Sequence, residues 1–299
     1  MSQDTAPAVD FAKYQALGND YIVIDPRYTA FDPTPENVRL ACDRHFGLGA
    51  DGLLYGPLPA DDGFRLRIFN PDGTECEKSG NGLRIFARYL RESGHADTDA
   101  FTLHSLAGPS AVRILDGRAE TVRIDLGPAT TDSRAVGATG PARPMLHEPL
   151  HTADDGGSLS VTCVQLGNPH CVVFLDDEPA GEELARRIGP AVRDHELFTQ
   201  RVNVELLNVI DRENIRIEIF ERGAGYTLSS GTSACTAAFA AHARGLTGAR
   251  TTVHMPGGRV TVEIDEDGRL ALGGEVLPVL RGHWAPRIGQ QLSGRGASA

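Results

Sequence analysis

The sequence predicts an α+β protein made of two pseudo-symmetric domains. Three observations lead there: an internal repeat at a fixed offset, a strand, glycine-rich loop and apolar helix that occur in that order twice, and flanking segments in which polar and apolar residues alternate. The 299 residues, 40% of them hydrophobic, suffice for two domains of ordinary size.

The first copy begins with Arg65-Leu66-Arg67-Ile68-Phe69-Asn70, which reads as a strand. After a polar turn comes Ser79-Gly80-Asn81-Gly82, and then the apolar run of residues 83–90, which reads as a buried helix. The second copy repeats this at a constant offset of 151: Arg216-Ile217-Glu218-Ile219-Phe220-Glu221, then Ser230-Gly231-Thr232-Ser233, then the helical run of residues 234–241. Leu103 and His104 with Gly108 and Val112 find Val253 and His254 with Gly258 and Val262 at an offset of 150, so the echo continues into the next strands. Residues 120–126 and 259–264 alternate as half-buried strands do. We therefore expect a first domain over residues 10–128, completed by 275–288, and a second over 140–274. Residues 127–157, rich in Pro, Gly, Thr and Asp, read as a linker or an irregular excursion, and the tail after Trp284, residues 285–299, as disordered.

Charge and composition exclude several functions. Forty acidic residues against 29 Lys and Arg leave a net charge of -11, which repels a phosphate backbone and argues against a nucleic-acid partner. Ser2-Gln3-Asp4-Thr5-Ala6-Pro7 lacks the basic and apolar stretches of a secretory signal, and no segment reaches the ~20 apolar residues of a membrane helix, so a soluble cytoplasmic protein with no membrane partner is expected. Cys42, Cys76, Cys163, Cys171 and Cys235 show no metal or disulfide spacing and read as free thiols, mostly in the core. A nicotinamide enzyme is disfavoured, because no strand-turn-helix glycine fingerprint with a following acidic residue is present.

The duplicated Ser-Gly elements carry the chemistry. A serine before a helix is first of all an N-cap. A small residue and glycine at a helix start also leave backbone N–H groups and the positive dipole end free for a carboxylate. If a pseudo-two-fold axis relates the halves, Ser79 and Ser230 lie on opposite sides of whatever is bound, an arrangement that suits stereoinversion at carbon.

Eight segments in order, Ala16-Leu17-Gly18-Asn19-Asp20-Tyr21, Gly47-Leu48-Gly49-Ala50-Asp51-Gly52, Phe69-Asn70-Pro71-Asp72-Gly73-Thr74-Glu75, Ser79-Gly80-Asn81-Gly82, Gly167-Asn168-Pro169-His170, Arg201-Val202-Asn203, Glu221-Arg222-Gly223-Ala224-Gly225 and Ser230-Gly231-Thr232, resemble the motif series of the diaminopimelate epimerase family. They span nearly the whole chain. The resemblance implies two α+β domains facing across a central cleft, a small-molecule amino-acid substrate, and no pyridoxal phosphate, metal or other cofactor. It also implies a homodimer, for which no stretch of this sequence marks an interface. Asn19, Asn70, Asn168, Asn203, Glu221 and Arg222 match positions that hold the substrate's distal amino and carboxylate groups. Gly80, Asn81, Gly231 and Thr232 match the helix starts that bind the carboxylate beside the reacting carbon. Physically, Glu221 can accept from an ammonium and Arg222 can clamp a carboxylate. Asn19 and Asn70 also suit plain turns, Glu221 and Arg222 a plain surface pair, and His170 a supporting, a packed or a surface residue.

The family's two catalytic cysteines correspond to Ser79 and Ser230. A hydroxyl is a far weaker acid than a thiol and needs a neighbouring base. Lys78 is a candidate activator for Ser79 and Cys76 a candidate displaced base, while Ser230 has no evident His or Lys partner. Tyr226 and Leu83 depart from the commonest family residues as well. The expected activity is inversion of the α-carbon of diaminopimelate or a related amino acid. The alternatives are a diverged amino-acid isomerase, lyase or cyclase, and an amino-acid-binding homologue without catalysis.

Overall fold

A computed structural model describes residues 10–152, 158–175 and 178–294. The chain divides into two units, one running to Ile124 and resuming at Gly274, the other running from Asp125 to Gly273.

The first unit contains β1 (Phe11–Ala16), β2 (Asn19–Ile24), α1 (Pro35–Cys42), β3 (Gly52–Leu58), β4 (Phe64–Phe69), β5 (Glu75–Cys76), α2 (Gly80–Glu92), β6 (Ala100–Ser105), β7 (Gly108–Ile114) and most of β8 (Thr121–Pro128), the strand in which the chain leaves it. β1 and β2 are antiparallel, β2 and β3 parallel, and β3 and β4 antiparallel. β4 then takes β5 antiparallel and β6 parallel, and β6, β7 and β8 follow as antiparallel neighbours. The sheet wraps α2, whose residues from Gly80 to Leu90 are all buried. That burial includes Arg84 and Arg88, which interrupt the apolar run and find their partners inside the unit.

The second unit contains α3 (Ser133–Val136), β9 (Glu148–His151), β10 (Ser158–Leu166), β11 (Asn168–Phe174), α4 (Glu182–Arg193), β12 (Asn203–Val209), β13 (Asn214–Glu221), β14 (Gly225–Thr227), α5 (Gly231–Ala243), β15 (Arg250–Met255), β16 (Gly258–Ile264) and most of β17 (Arg269–Glu275). Its pairings from β10 to β17 repeat those of β1 to β8 in kind: antiparallel, parallel, antiparallel, then a short antiparallel and a parallel neighbour, then two antiparallel steps. The α+β duplication that the echo predicts is thus a duplication of topology. Each unit adds one strand of its own. β18 (Leu277–Gly282) pairs with β1 in the first, β9 pairs with β10 in the second, and α6 (Pro286–Leu292) closes the described chain.

Two sequence expectations fail. The stretch read as a linker or an irregular excursion is not a linker: over its described residues it is part of the second unit's core, with Val136, Met145 and Leu150 buried beside Val161, Cys163 and Cys171. Isolated apolar residues each fill one gap there, so no periodicity announces them. Residues 153–157 of that stretch lie outside the described residues. At the other end, Leu292 is buried in the first unit's core, and its carbonyl accepts from the Asp32 backbone and the Asn37 side chain. Of the tail after Trp284 expected to be disordered, Pro286–Leu292 form α6, Ser293 and Gly294 follow it as a turn, and residues 295–299, like the N-terminal segment 2–7, lie outside the described residues.

Four of the five cysteines are buried and Cys76 is half-buried, all as free thiols. Cys163 and Cys171 face each other across β10 and β11, and hydrogen bonding to Cys163, added to burial, raises the Cys171 thiol. Burial, reinforced by Asp20 and Asp51, pushes Cys42 up to about 12, so that thiol stays protonated. Among the described residues no helix is long and apolar enough to cross a membrane.

Candidate functional site

In the first unit Ser79 is the N-cap of α2, with φ -135° and ψ 118°, and its Oγ accepts from the Gly82 amide at 3.0 Å. The capping reading of this serine therefore holds, and it coexists with a second contact. The Tyr21 hydroxyl on β2 lies 3.0 Å from the same oxygen. Beside this pair runs a chain of polar side chains. The Arg84 guanidinium donates to Asn81 Oδ1 at 2.6 Å, Asn81 Nδ2 donates to Asn19 Oδ1 at 3.1 Å, and Asn19 Nδ2 donates to Asp51 Oδ2 at 3.2 Å. Arg84 sits one turn along α2 from Asn81, so the helix brings both to one side. Neighbouring Asp20 is clamped by Lys13 at 2.7 Å and Arg44 at 3.1 Å. Burial pushes its carboxyl up, but hydrogen bonds from those cations and from the Asp51 amide outweigh burial and hold it below the ordinary range.

In the second unit Ser230 is the N-cap of α5 without a side-chain capping bond, φ -149° and ψ 128°. Its hydroxyl lies 3.4 Å from Thr232 Oγ1 and near the Glu221 carboxylate, whose charged form it favours. Burial raises the Glu221 carboxyl above the ordinary range, the Ser230 hydroxyl and the nearby His170 oppose that rise, and Glu205 adds to it. Behind Glu221, fully buried His170 bridges Glu205 Oε1 at 2.7 Å and Asn168 Oδ1 at 2.6 Å. His170 pairs in register with Asn203, whose Oδ1 accepts the Arg222 amide at 2.9 Å.

The structure thus gathers Asn19, Ser79, Gly80 and Asn81 around one helix start, and Asn168, Asn203, Glu221, Ser230, Gly231 and Thr232 around the other. Two of the predicted residues stand apart. Asn70 is exposed and bonds Thr74 through both backbone and side chain, as turn chemistry demands. Arg222 offers its amide to Asn203 while its side chain is exposed. His170 is fully buried and bridges Glu205 and Asn168, which excludes a surface reading for it. The half-buried Cys76 thiol donates to the Lys78 carbonyl.

Sequence reasoning missed Tyr21, Asp51, Arg84 and Glu205 as members of these networks. Glu205 had a signal, a carboxylate set in the apolar strand Val204-Glu205-Leu206-Leu207. The closeness of Ser230 to Glu221 had none, because the hairpin of β13 and β14 makes it.

Comparison with known proteins agrees with the motifs. The sequence profile of the family described as diaminopimelate epimerase matches residues 11–131 and 162–277. The chain is 43% identical over 279 residues to diaminopimelate epimerase 2 of Nostoc sp., covering 93% of this chain and 96% of that one. It is 38% identical over 277 residues to the diaminopimelate epimerase of Moorella thermoacetica, covering 91% and 98%. Among solved structures it is similar to a hydroxyproline epimerase of Agrobacterium vitis, with TM-score 0.60 and 17% identity over 93% of each chain. It is also similar to a phenazine biosynthesis protein of Enterococcus faecalis, with TM-score 0.62 and 16% identity over 91% of this chain and 97% of that one. At such identities these two structures speak for the fold alone.

Proposed function

Because this chain belongs to the diaminopimelate epimerase family, we propose that it inverts the α-carbon of diaminopimelate or a close amino-acid relative, with Ser79 and Ser230 moving the proton. The observation that carries the proposal for two hydroxyls is a buried carboxylate, Glu221, beside the Ser230 hydroxyl at the start of α5. A serine oxygen needs an adjacent base, and Glu221 is one poised closer to neutrality than an ordinary carboxylate.

In this reading the Ser230 oxygen takes the α-hydrogen as a proton while its own hydroxyl proton passes to Glu221. The electron pair of the broken C–H bond remains on the substrate carbon, and Ser79 gives its hydroxyl proton to the other face. The resulting Ser79 oxyanion is met by the Gly82 amide that already points at it. The N-terminal amides of α2 and α5, at Gly80, Asn81, Gly231 and Thr232, hold the substrate's α-carboxylate, where fixed N–H dipoles offset the charge that develops during proton removal. Asn19, Asn168 and Asn203 hold the distal groups, and the exposed side chains of Asn70 and Arg222 turn towards them on binding. Glu221, which the sequence assigned to a distal ammonium, becomes the base behind Ser230. With diaminopimelate as substrate we place the enzyme in lysine biosynthesis and in the cytoplasm.

Incubating the protein with each diaminopimelate stereoisomer in deuterated water and following the α-carbon tests this directly. Deuterium incorporation with inversion is expected. No α-exchange on any stereoisomer overturns the proposal, and a dehydrated or deaminated product would redirect it to elimination.

A further inference from the structure

The two serines differ in their partners: Ser230 meets a carboxylate, Ser79 a phenol. Tyr21 is only 8% exposed and its ring is held from below by glycine. It lies opposite Gly52 across the parallel pair of β2 and β3, and a Cβ at Gly52 would come within 2.5 Å of the Tyr21 ring and 2.7 Å of the Phe69 carbonyl. The missing side chain thus gives the ring its seat, and the seat aims the hydroxyl at Ser79.

The hydrogen-bond capacity of Ser79 Oγ decides what this contact can do. A hydroxyl oxygen has two lone pairs and one proton. The Gly82 amide occupies one lone pair. If Tyr21 donates into the other, the serine's own proton is left for the substrate, and the oxyanion that remains after its transfer faces two donors at the positive end of α2. Donors aimed at a developing charge favour the charged form, and they do so most strongly where water is excluded.

We propose that Tyr21 is a positioning residue for the proton transfer at Ser79: its hydroxyl donates to the serine oxygen, so that Ser79 touches substrate and Tyr21 acts through it. This rests on the reading of Ser79 as one half of the proton-transfer pair. It adds an asymmetry to that reading, with Ser230 backed by an acceptor and Ser79 by a donor.

Two measurements on Tyr21→Phe, which keeps the ring over Gly52, test it. In the first, both diaminopimelate stereochemistries are followed in deuterated water. Inversion is expected to slow roughly tenfold to a hundredfold with little change in KM, while exchange with retention persists for the stereoisomer whose α-hydrogen Ser230 removes. Inversion at the wild-type rate, or loss of inversion and exchange together, overturns the assignment. The second needs no substrate. In Ser79→Cys, with and without Tyr21→Phe, alkylation of the peptide carrying residue 79 by iodoacetamide is followed against pH by mass spectrometry. With the phenol present the thiol is expected to ionise about one pH unit lower, a tenfold difference in thiolate. Coincident pH profiles overturn the hydrogen bond. If the unaltered protein exchanges no α-hydrogen, the epimerase reading falls, and the alkylation profiles still decide whether Tyr21 donates to residue 79.

Discussion

Burial holds the Glu221 carboxyl above its ordinary value of 4.5, and a base is useful only when ionised. The acid limb of kcat/KM should therefore rise with pH through a value above the ordinary carboxylate range, and Glu221→Gln should flatten that limb and lower kcat by roughly a hundredfold or more. Stability should move the other way. A group whose folded-state pKa is raised contributes stability below its unfolded pKa and loses it as pH rises through the folded value. Ionised Glu221 is thus a cost at neutral pH, and Glu221→Gln should melt no lower than the parent at pH 8, with its relative advantage shrinking towards pH 4. A thermal melt series against pH reads this; a neutral-pH melting point well below the parent's would show that the carboxylate holds the fold together rather than serving chemistry. Ser79 and Ser230 were legible in the sequence because duplication marks them at matched positions. Their partners were not, since a side chain on β2 and another at the end of β13 reach them only through the folded register.

At the scale of elements, β2, β3 and β4 form the platform under Ser79, and Gly52 is where it is tightest. A Cβ there meets both the Tyr21 ring and the Phe69 backbone carbonyl, and the carbonyl cannot swing aside as a flexible side chain could. Gly52→Ala should destabilise the protein by about 1 to 3 kcal/mol in urea or guanidinium unfolding. Because it lifts the ring that holds the hydroxyl, it should also lower inversion at least as far as Tyr21→Phe does. Unchanged stability would mean that the strand pair opens freely, and with it the seat argued for Tyr21. Long periodic elements such as α2, α5, β4 and β13 were readable, since each carries enough alternation or apolar run to decide its type. The four-residue α3 and β9, and the buried Met145 between them, carry too little pattern for any periodicity to show. Their place comes from long-range packing, and a stretch rich in Pro and Gly looked like a linker.

For the whole chain, duplication leaves the first unit incomplete until residues far along the sequence return to it. β18 pairs with β1, and the returning segment supplies carbonyls to two buried cations of α2: Glu275 to Arg84, which is fully buried, and Val276 to Arg88, which is 5% exposed. Arg281 on β18 joins Glu92 and the Tyr14 hydroxyl, and Glu92 also accepts from Arg88 at 2.7 Å. Ending the chain after Gly274 would remove these acceptors, the Arg281 contacts and the antiparallel neighbour of β1 together. Breaking one buried charged pair typically costs about 3 to 5 kcal/mol, comparable with the whole stability of many domains. The second unit keeps its own buried cluster from Val136 to Phe220 and loses none of those residues. Hydrogen exchange on the truncated chain should therefore show protection lost across β1, β2 and α2 but retained across β10 to β13. Retained protection in β1 would mean that the first unit's sheet stands without β18. Protection lost throughout would mean that the second unit cannot fold unless the first is whole.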